Sequence, residues 1–349
     1  MHKRLMKGND AAVYGALMGG CTHFFGYPIT PASEIAQTAS YYFRKTGRTY
    51  LQGESEVSVI NMLYGASSGG ARVMTASSGP GIALMAEGLS YLAGARLPAV
   101  VIDMQRAGPG LGNIWPEQGD YAMVVKGGGQ GNYKNIVLAP ASAQEMFDFT
   151  KRAFALAERY RMTVFILGDA YLGQVMESVE ISGELEESDR KDWALYGDRE
   201  SRGNLITSIY MSPSEMEAHN QLLQDQYAKV EREVVDFSET DTDDASLIFV
   251  TYGIVSRICH GAVKRLRELG LKVGMLRLKT LFPFPKERLK ELAKKKAAFV
   301  AVELSNGQMA EDVRLSVEGL TKVVSFNRMG GEVMKSQDLV AFATEYLKG

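Results

Sequence analysis

Three stretches of this sequence set chemically capable side chains beside residues that hold the backbone in place. Residues 26–34 read GYPITPASE. Pro28 and Pro31 each fix a backbone dihedral and bias the residue before them toward extended geometry, so Thr30 is held where a flexible loop would let it wander. The same Thr-Pro pair also fits a helix start, with Thr30 as N-cap and Pro31 at the first helical position, and that reading needs no ligand.

In GESEVSVINMLYGASSGGA, residues 53–71, helical spacing puts Glu56 on one face with Val59, Leu63 and Ala66, so its carboxylate projects toward the apolar side. Desolvation in such a place raises a carboxyl's pKa and suits it to share a proton with a heterocyclic base. The plain alternative is an acidic residue favoured by the macrodipole of a helix's first turn, and Glu54 fits that role better than Glu56 does. Arg106 follows the apolar run AVVIDM within DMQRAGPGLGNIWPEQGD, residues 103–120. There it could grip a carboxylate in a bidentate fashion, or serve only in a surface ion pair. SSGPGIALMAEG, residues 77–88, sets Gly79 and Gly81 around Pro80 ahead of a helix, where backbone N–H groups could face an anion. Neither this loop nor GGGQG at 127–131 matches a phosphate-loop or dinucleotide fingerprint.

These side chains need elements to position them. THFFGY, RVMTAS, LPAVVIDM, NIVLAP and MTVFILGD alternate with helix-like stretches between residues 8 and about 182, which predicts a parallel α/β sheet covered on both faces. In such a sheet ligands bind beyond the carboxyl ends of the strands. Ser212, Pro213 and Glu215 predict a helix from there to about Val235. Residues 1–236 form the first domain on this reading, and the acidic run within 237–245 reads as a linker. Residues 246–349 repeat the strand and helix alternation in SLIFVTYG, SRICHGAVKRLRELG, KVGMLRLKTLFPFP and AAFVAVEL, a compact second α/β domain.

Composition narrows the function classes. The 349 residues are 46% apolar and carry 39 basic against 41 acidic side chains, an even balance without the footprint of a nucleic-acid or membrane-surface binder. The basic run 294–296 reads as a solvated helix end. No apolar run reaches the roughly 18 to 20 residues of a bilayer span, and MHKRLMKGND leads into no signal-peptide core, so a cytoplasmic protein is expected. Cys21 and Cys259 are the only cysteines and read as buried thiols, and about four thiolates are needed for an iron–sulfur cluster. His2, His23, His219 and His260 lack metal-ligand spacing, and no metal site is expected in this chain.

Taken in order, GYPITPASE, GESEVSVINMLYGA, SSGPGIALMAEGL and MQRAGPGLG followed by EQGD resemble the alpha subunit of the 2-oxoacid:ferredoxin oxidoreductases. The YG at 252–253, LRLKTLFPFP and AVEL resemble the transketolase-type C-terminal domain of the same subunit, so the resemblance spans nearly the whole chain. It implies a thiamine-diphosphate-binding fold whose first domain is the pyrimidine module. It further implies that Glu56 bonds the aminopyrimidine as the catalytic acid–base, with Pro28, Ile29, Ser78 and Gly79 beside the cofactor. Thr30 and Arg106 match family positions at the 2-oxoacid carboxylate. The implied reaction is oxidative decarboxylation to an acyl-CoA and CO2, with coenzyme A as co-substrate and ferredoxin as electron acceptor.

The same resemblance makes absences informative. The Gly-Asp-Gly and Asn-Asn motif that holds diphosphate and magnesium in thiamine enzymes does not occur, and LGDAYLG at 167–173 is its nearest approach. Magnesium and the diphosphate module are therefore expected on a beta subunit, and the clusters on partner chains, among them gamma and ferredoxin-like delta subunits. A self-contained decarboxylase of the acetolactate synthase type fails for want of that motif. The opening LMKGNDAAVYGALMGGC and FFGYPITPASE are most similar to the branched-chain (3-methyl-2-oxobutanoate) type, and Trp115 would favour an apolar substrate tail. The 2-oxoglutarate type, which shares EQGD, is the alternative, and a non-catalytic scaffold of the same fold is a rival from another class.

Overall fold

The computed structural model describes residues 2–295 and 297–348, so Lys296 of the basic run lies outside the described residues, while Lys294 closes a helix at the surface. The first half of the chain comprises β1 (His2–Lys7), α1 (Gly8–Met18), β2 (His23–Gly26), α2 (Ser33–Lys45), β3 (Thr49–Gln52), α3 (Glu56–Ser68), β4 (Val73–Ser77), α4 (Gly79–Gly94), β5 (Ala99–Gln105), α5 (Tyr121–Val125), β6 (Ile136–Leu138), α6 (Ala143–Tyr160), β7 (Thr163–Asp169), α7 (Ala170–Gln174) and β8 (Met176–Ile181). It continues with α8 (Pro213–Glu233), β9 (Phe237–Thr240), β10 (Leu247–Tyr252), α9 (Val255–Glu268), β11 (Val273–Leu278), β12 (Thr280–Phe282), α10 (Lys286–Lys294), β13 (Ala298–Glu303), α11 (Gln308–Val317), β14 (Val323–Asn327) and α12 (Ser336–Lys348).

Every residue of β4, β5 and β7 is buried, as strands covered on both faces by helices must be. They lie inside a seven-stranded sheet ordered β12-β6-β7-β5-β4-β2-β3, parallel except at its β12 edge. Helix α1 packs against both α2 and α6, and α3 packs on α4, the arrangement that right-handed crossovers produce on opposite faces. The chain leaves β2 toward β3 and leaves β4 toward β5, so the strand order reverses between β2 and β4. That reversal opens a crevice at their carboxyl ends.

The second sheet runs β14-β13-β10-β11-β9, with β9 alone antiparallel. It reverses in the same way between β10 and β13. The expected linker at 237–245 is corrected here: Phe237–Thr240 is β9, paired with β11. Glu239 and Asp244 of this run are paired with arginines distant in sequence, Glu239 with Arg288 at 2.6 Å and Asp244 with Arg267 at 2.8 Å. KVGMLRLKTLFPFP is two strands rather than one. β11 joins the second sheet, and after Lys279 the chain passes into β12, which pairs with β6 and closes the edge of the first sheet. The strands β1 and β8, which form a separate antiparallel pair, are polar enough to have escaped the sequence reading. Helix α8 spans almost the expected range.

Candidate active site

Glu56, Ser78 and Arg106 all stand just beyond carboxyl ends of the first sheet, after β3, β4 and β5. The GYPITP loop follows β2. The topology therefore gathers four stretches, far apart in sequence, around the β2–β4 crevice.

Helix α3 starts on a Ser55 N-cap whose hydroxyl accepts the Ser58 N–H at 3.2 Å, which sets Glu56 as the first helical residue. Glu56 is only 6% exposed and makes no side-chain hydrogen bond to a described residue, whereas Glu54 is exposed and bonds Ser58. Its carboxylate is pressed against α4: a Cβ added to Gly81 would stand 2.7 Å from Glu56 Oε1 and 2.1 Å from Ser77 Oγ. Only glycine admits the carboxylate here. Ser78 occupies the N-cap of α4, yet its hydroxyl caps nothing, and the buried Oγ atoms of Ser77 and Ser78 have no partner. Buried polar groups are rarely left unpaired, so these atoms point to a polar occupant.

The GYPITP loop does not start a helix at Pro31. Helix α2 begins at Ser33 with Ala32 as N-cap, so the capping role for Thr30 is corrected. The loop is held from behind, where the buried Asn9 donates to Pro31 O at 3.0 Å and to Glu34 Oε2 at 2.7 Å. Pro28 and Thr30 are exposed, and Ile29 packs against the core. Thr30 engages Arg106 through its backbone: Arg106 Nη1 donates to Thr30 O at 2.9 Å, and Nη2 donates to Leu111 O at 3.1 Å. The guanidinium plane is thereby fixed, and Nε is buried without a partner. Thr30 and Arg106 are thus brought together, through the Thr30 carbonyl rather than its hydroxyl.

Two carboxyls escaped the sequence reading. Asp103 is buried in β5 with neither oxygen bonded by a described residue, and Asp120 lies against the Ser78–Gly79 turn, its oxygens 2.6 and 2.7 Å from where a Gly79 Cβ would be. Burial first, and each other's charge, push Asp103 well above the usual carboxylate range. Burial and Glu117 push Asp120 up to about 7, against the pull of Arg106. The signal available was an acid inside the otherwise apolar run AVVIDM.

The EQGD segment has a structural task. Gln118 N donates to Leu304 O at 2.6 Å, its Oε1 accepts Leu304 N–H at 2.9 Å, and its Nε2 donates to Tyr252 O at 3.2 Å. Glu117 accepts from Gly108 N and Gly330 N, both at 2.8 Å, and Trp115 lies under Gly331. The LGDAYLG stretch is structural as well. Asp169 caps α7 through the N–H groups of Tyr171 and Leu172, while burial pushes its carboxyl up to about 6. Glu303 of AVEL accepts Met309 N–H at 2.9 Å and Ala310 N–H at 3.0 Å at the start of α11. Cys21 and Cys259 are buried, each thiol pushed up to about 12 by burial. Among the described residues no cluster of metal-ligating side chains occurs, and no helix is long and apolar enough to cross a membrane.

The α/β fold with its crevice is that of a thiamine-diphosphate-binding domain, as the family match shows. The family described as pyruvate flavodoxin/ferredoxin oxidoreductase, thiamine diphosphate-binding, matches residues 14–237, and pyruvate:ferredoxin oxidoreductase core domain II matches residues 245–339. The chain belongs to the 2-oxoacid:ferredoxin oxidoreductase family as one of its subunits. It is 52% identical to the ketoisovalerate oxidoreductase subunit VorB of Methanothermobacter thermautotrophicus, over 97% of each chain. It is 36% identical to the 2-oxoglutarate synthase subunit KorA of Methanocaldococcus jannaschii, over 97% of this chain and 98% of the relative. Among solved structures, the 2-oxoglutarate:ferredoxin oxidoreductase of Magnetococcus marinus, with 2-oxoglutarate, coenzyme A and succinyl-CoA bound, superposes with a TM-score of 0.91 at 26% identity. That match covers 98% of this chain and 65% of the other. These relatives are named as subunits, which implies multi-subunit complexes for them.

Proposed function

We propose that this chain supplies the aminopyrimidine half of a thiamine diphosphate site and the 2-oxoacid carboxylate grip, in a complex that forms acyl-CoA and CO2 and passes electrons to ferredoxin. The observation that carries this reading is Glu56: a buried carboxylate with no hydrogen-bond partner, facing a glycine-lined crevice that also holds the free hydroxyls of Ser77 and Ser78. A heterocycle with a ring nitrogen and an exocyclic amine satisfies such a set, so the residues fit the cofactor.

Thiamine diphosphate, when bound, supplies the electron sink that lets a 2-oxoacid lose CO2. Glu56 would face the cofactor's aminopyrimidine and share a proton with its ring nitrogen. Pro28, Ile29, Ser78 and Gly79 would line the pyrimidine, with the free Ser78 hydroxyl as a hydrogen-bonding group. Arg106, its plane fixed by two carbonyls, holds the substrate carboxylate, and the Thr30 hydroxyl supplies a second donor beside it.

The site is completed by a partner. Tyr27, Val57, Leu84, Leu111 and Ile114, neighbours of these groups in sequence, are large apolar side chains exposed to solvent. Such a rim suits burial against a beta subunit that brings the diphosphate and magnesium module, with the clusters on that or further small subunits. We assign 3-methyl-2-oxobutanoate or a related branched-chain acid as substrate, supported by the greater identity to the ketoisovalerate relative and by Trp115, an apolar side chain in the loop that carries Arg106.

The test is CoA-dependent viologen reduction by the copurified complex across a panel of 2-oxoacids. Branched-chain acids are expected to give kcat/KM at least about tenfold above 2-oxoglutarate, a difference that one mismatched pocket contact supplies. A preference for 2-oxoglutarate overturns the substrate, and activity of this chain alone overturns the divided site.

A further inference from the structure

Residues 204–212, NLITSIYMS, take no part in the crevice and belong to neither large sheet. The segment leads into α8 and makes no helix, turn or bend from Asn204 to Met211. It is held from behind. Asn204 Nδ2 donates to Asp192 O at 2.7 Å and to Ala194 O at 2.9 Å, Ile206 packs on the core, and Tyr210 stacks on His219 with ring centroids 4.5 Å apart. Its other side is bare: Leu205, Ile209 and Met211 are 79%, 72% and 89% exposed. Between Asn204 and Ser212 one main-chain group is hydrogen-bonded to a described residue, the Ile209 N–H, which donates to Thr207 Oγ1. From Gly203 to Ser214 there is no charged side chain, the usual device that keeps an unpaired strand edge from joining another. The segment also lies away from the crevice. Ser208 sits against Gly94, the last residue of α4, whose first residue Gly79 borders the crevice, and 16 helical residues set the two about 24 Å apart.

We propose that residues 204–212 are the docking surface for a second copy of this chain, the two segments pairing antiparallel about a two-fold axis at Ser208. Centred there, the pair sets Leu205 of one copy opposite Met211 of the other, and Thr207 opposite Ile209, so the exposed side chains cover one another twice over. The free main-chain groups gain partners in the same step, and Pro213, which has no N–H, ends the ladder. Charge selects the same occupant. Exposed Arg199 and Arg202 precede the segment, where the neighbouring acids Asp198 and Glu200 are taken by Arg190, and exposed Glu215 and Glu217 follow it. Antiparallel pairing brings the basic end of each copy to the acidic end of the other, whereas parallel pairing would oppose like charges. The crevice face stays open for the subunit that completes the site, so the inference goes beyond the function proposed above and does not depend on it.

The experiment uses the assembled complex, with native mass spectrometry to count copies of this chain and analytical ultracentrifugation over a dilution series to follow their separation. The variants are Leu205→Lys, Met211→Glu and the two combined in one chain. The wild-type particle is expected to hold two copies. Either single substitution buries an unpaired charge and should raise the concentration of half-dissociation at least about tenfold. The combined variant sets lysine against glutamate on both sides of the axis and should return it to within about threefold of wild type, a rescue that only self-pairing in this register gives. Both positions are exposed, so the thermal midpoint should stay unchanged in all three. A single copy in the wild-type particle, single variants that dissociate like wild type or lose a different subunit instead, or a combined variant no better than the single ones overturns the proposal.

Discussion

At the carboxyl ends of β2 and β4 the hydroxyls of Ser77 and Ser78, the carboxylate of Glu56 and the acids Asp103 and Asp120 stand with oxygens that no described residue bonds. At the carboxyl ends of β10 and β13, the corresponding reversal of the second sheet, Gln118 enters from the first domain and bonds the backbone of both Tyr252 and Leu304. Gly253, at φ +58°, lets the chain turn beneath its amide, where a Cβ would approach Nε2 to 3.2 Å. The same topology thus yields an open crevice in one domain and a plugged one in the other. The unpartnered groups at the first crevice are ones that a polar ligand would satisfy. The second domain serves as a clamp for the loop that carries Arg106.

The comparison breaks most visibly at Glu56. Glu56→Gln keeps shape and hydrogen bonding but removes the acid–base, so the assembled complex should lose about 10²- to 10⁴-fold in kcat with its thermal midpoint unchanged. Full retention of dye reduction would make the open crevice an accident of packing.

The plugged crevice is tested by Gln118→Ala. The substitution strips partners from the Leu304 N–H and the Tyr252 carbonyl, both buried, and each orphan costs about 1–3 kcal/mol. Denaturant unfolding should report a loss of about 2–5 kcal/mol. A change below about 0.5 kcal/mol would show that Gln118 fills the crevice without holding it.

How much of this contrast the sequence carries depends on what each residue depends on. Runs such as AVVIDM and MTVFILGD announced β5 and β7 because central parallel strands are apolar throughout, and Glu56 and Arg106 were visible because each follows such a run or opens a helix. β9 reads as a linker because FSET gains its place from pairing with β11 and from Arg288, and neither partner is local. The split between β11 and β12 is likewise decided by an edge of another sheet. Asp103 stands near the end of the run AVVIDM and drew no reading of its own. Its isolation follows from helices on both faces, and Gln118 acquires its meaning only when the domains meet.

The smallest effect separates the two readings of the GYPITP loop most cleanly. Thr30 as an N-cap would cost about 1 kcal/mol of stability when replaced by valine, because a helix-terminal N–H would lose its acceptor. In the structure α2 starts at Ser33, and Thr30 contributes its carbonyl to Arg106, a bond that valine retains. The Thr30 side chain is exposed, which leaves its hydroxyl open to the substrate role proposed above. Thr30→Val should therefore leave unfolding within about 0.5 kcal/mol of wild type and raise the 2-oxoacid KM about three- to tenfold, the worth of one hydrogen bond. Lost stability with an unchanged KM would return Thr30 to the scaffold and leave Arg106 to hold the carboxylate by itself.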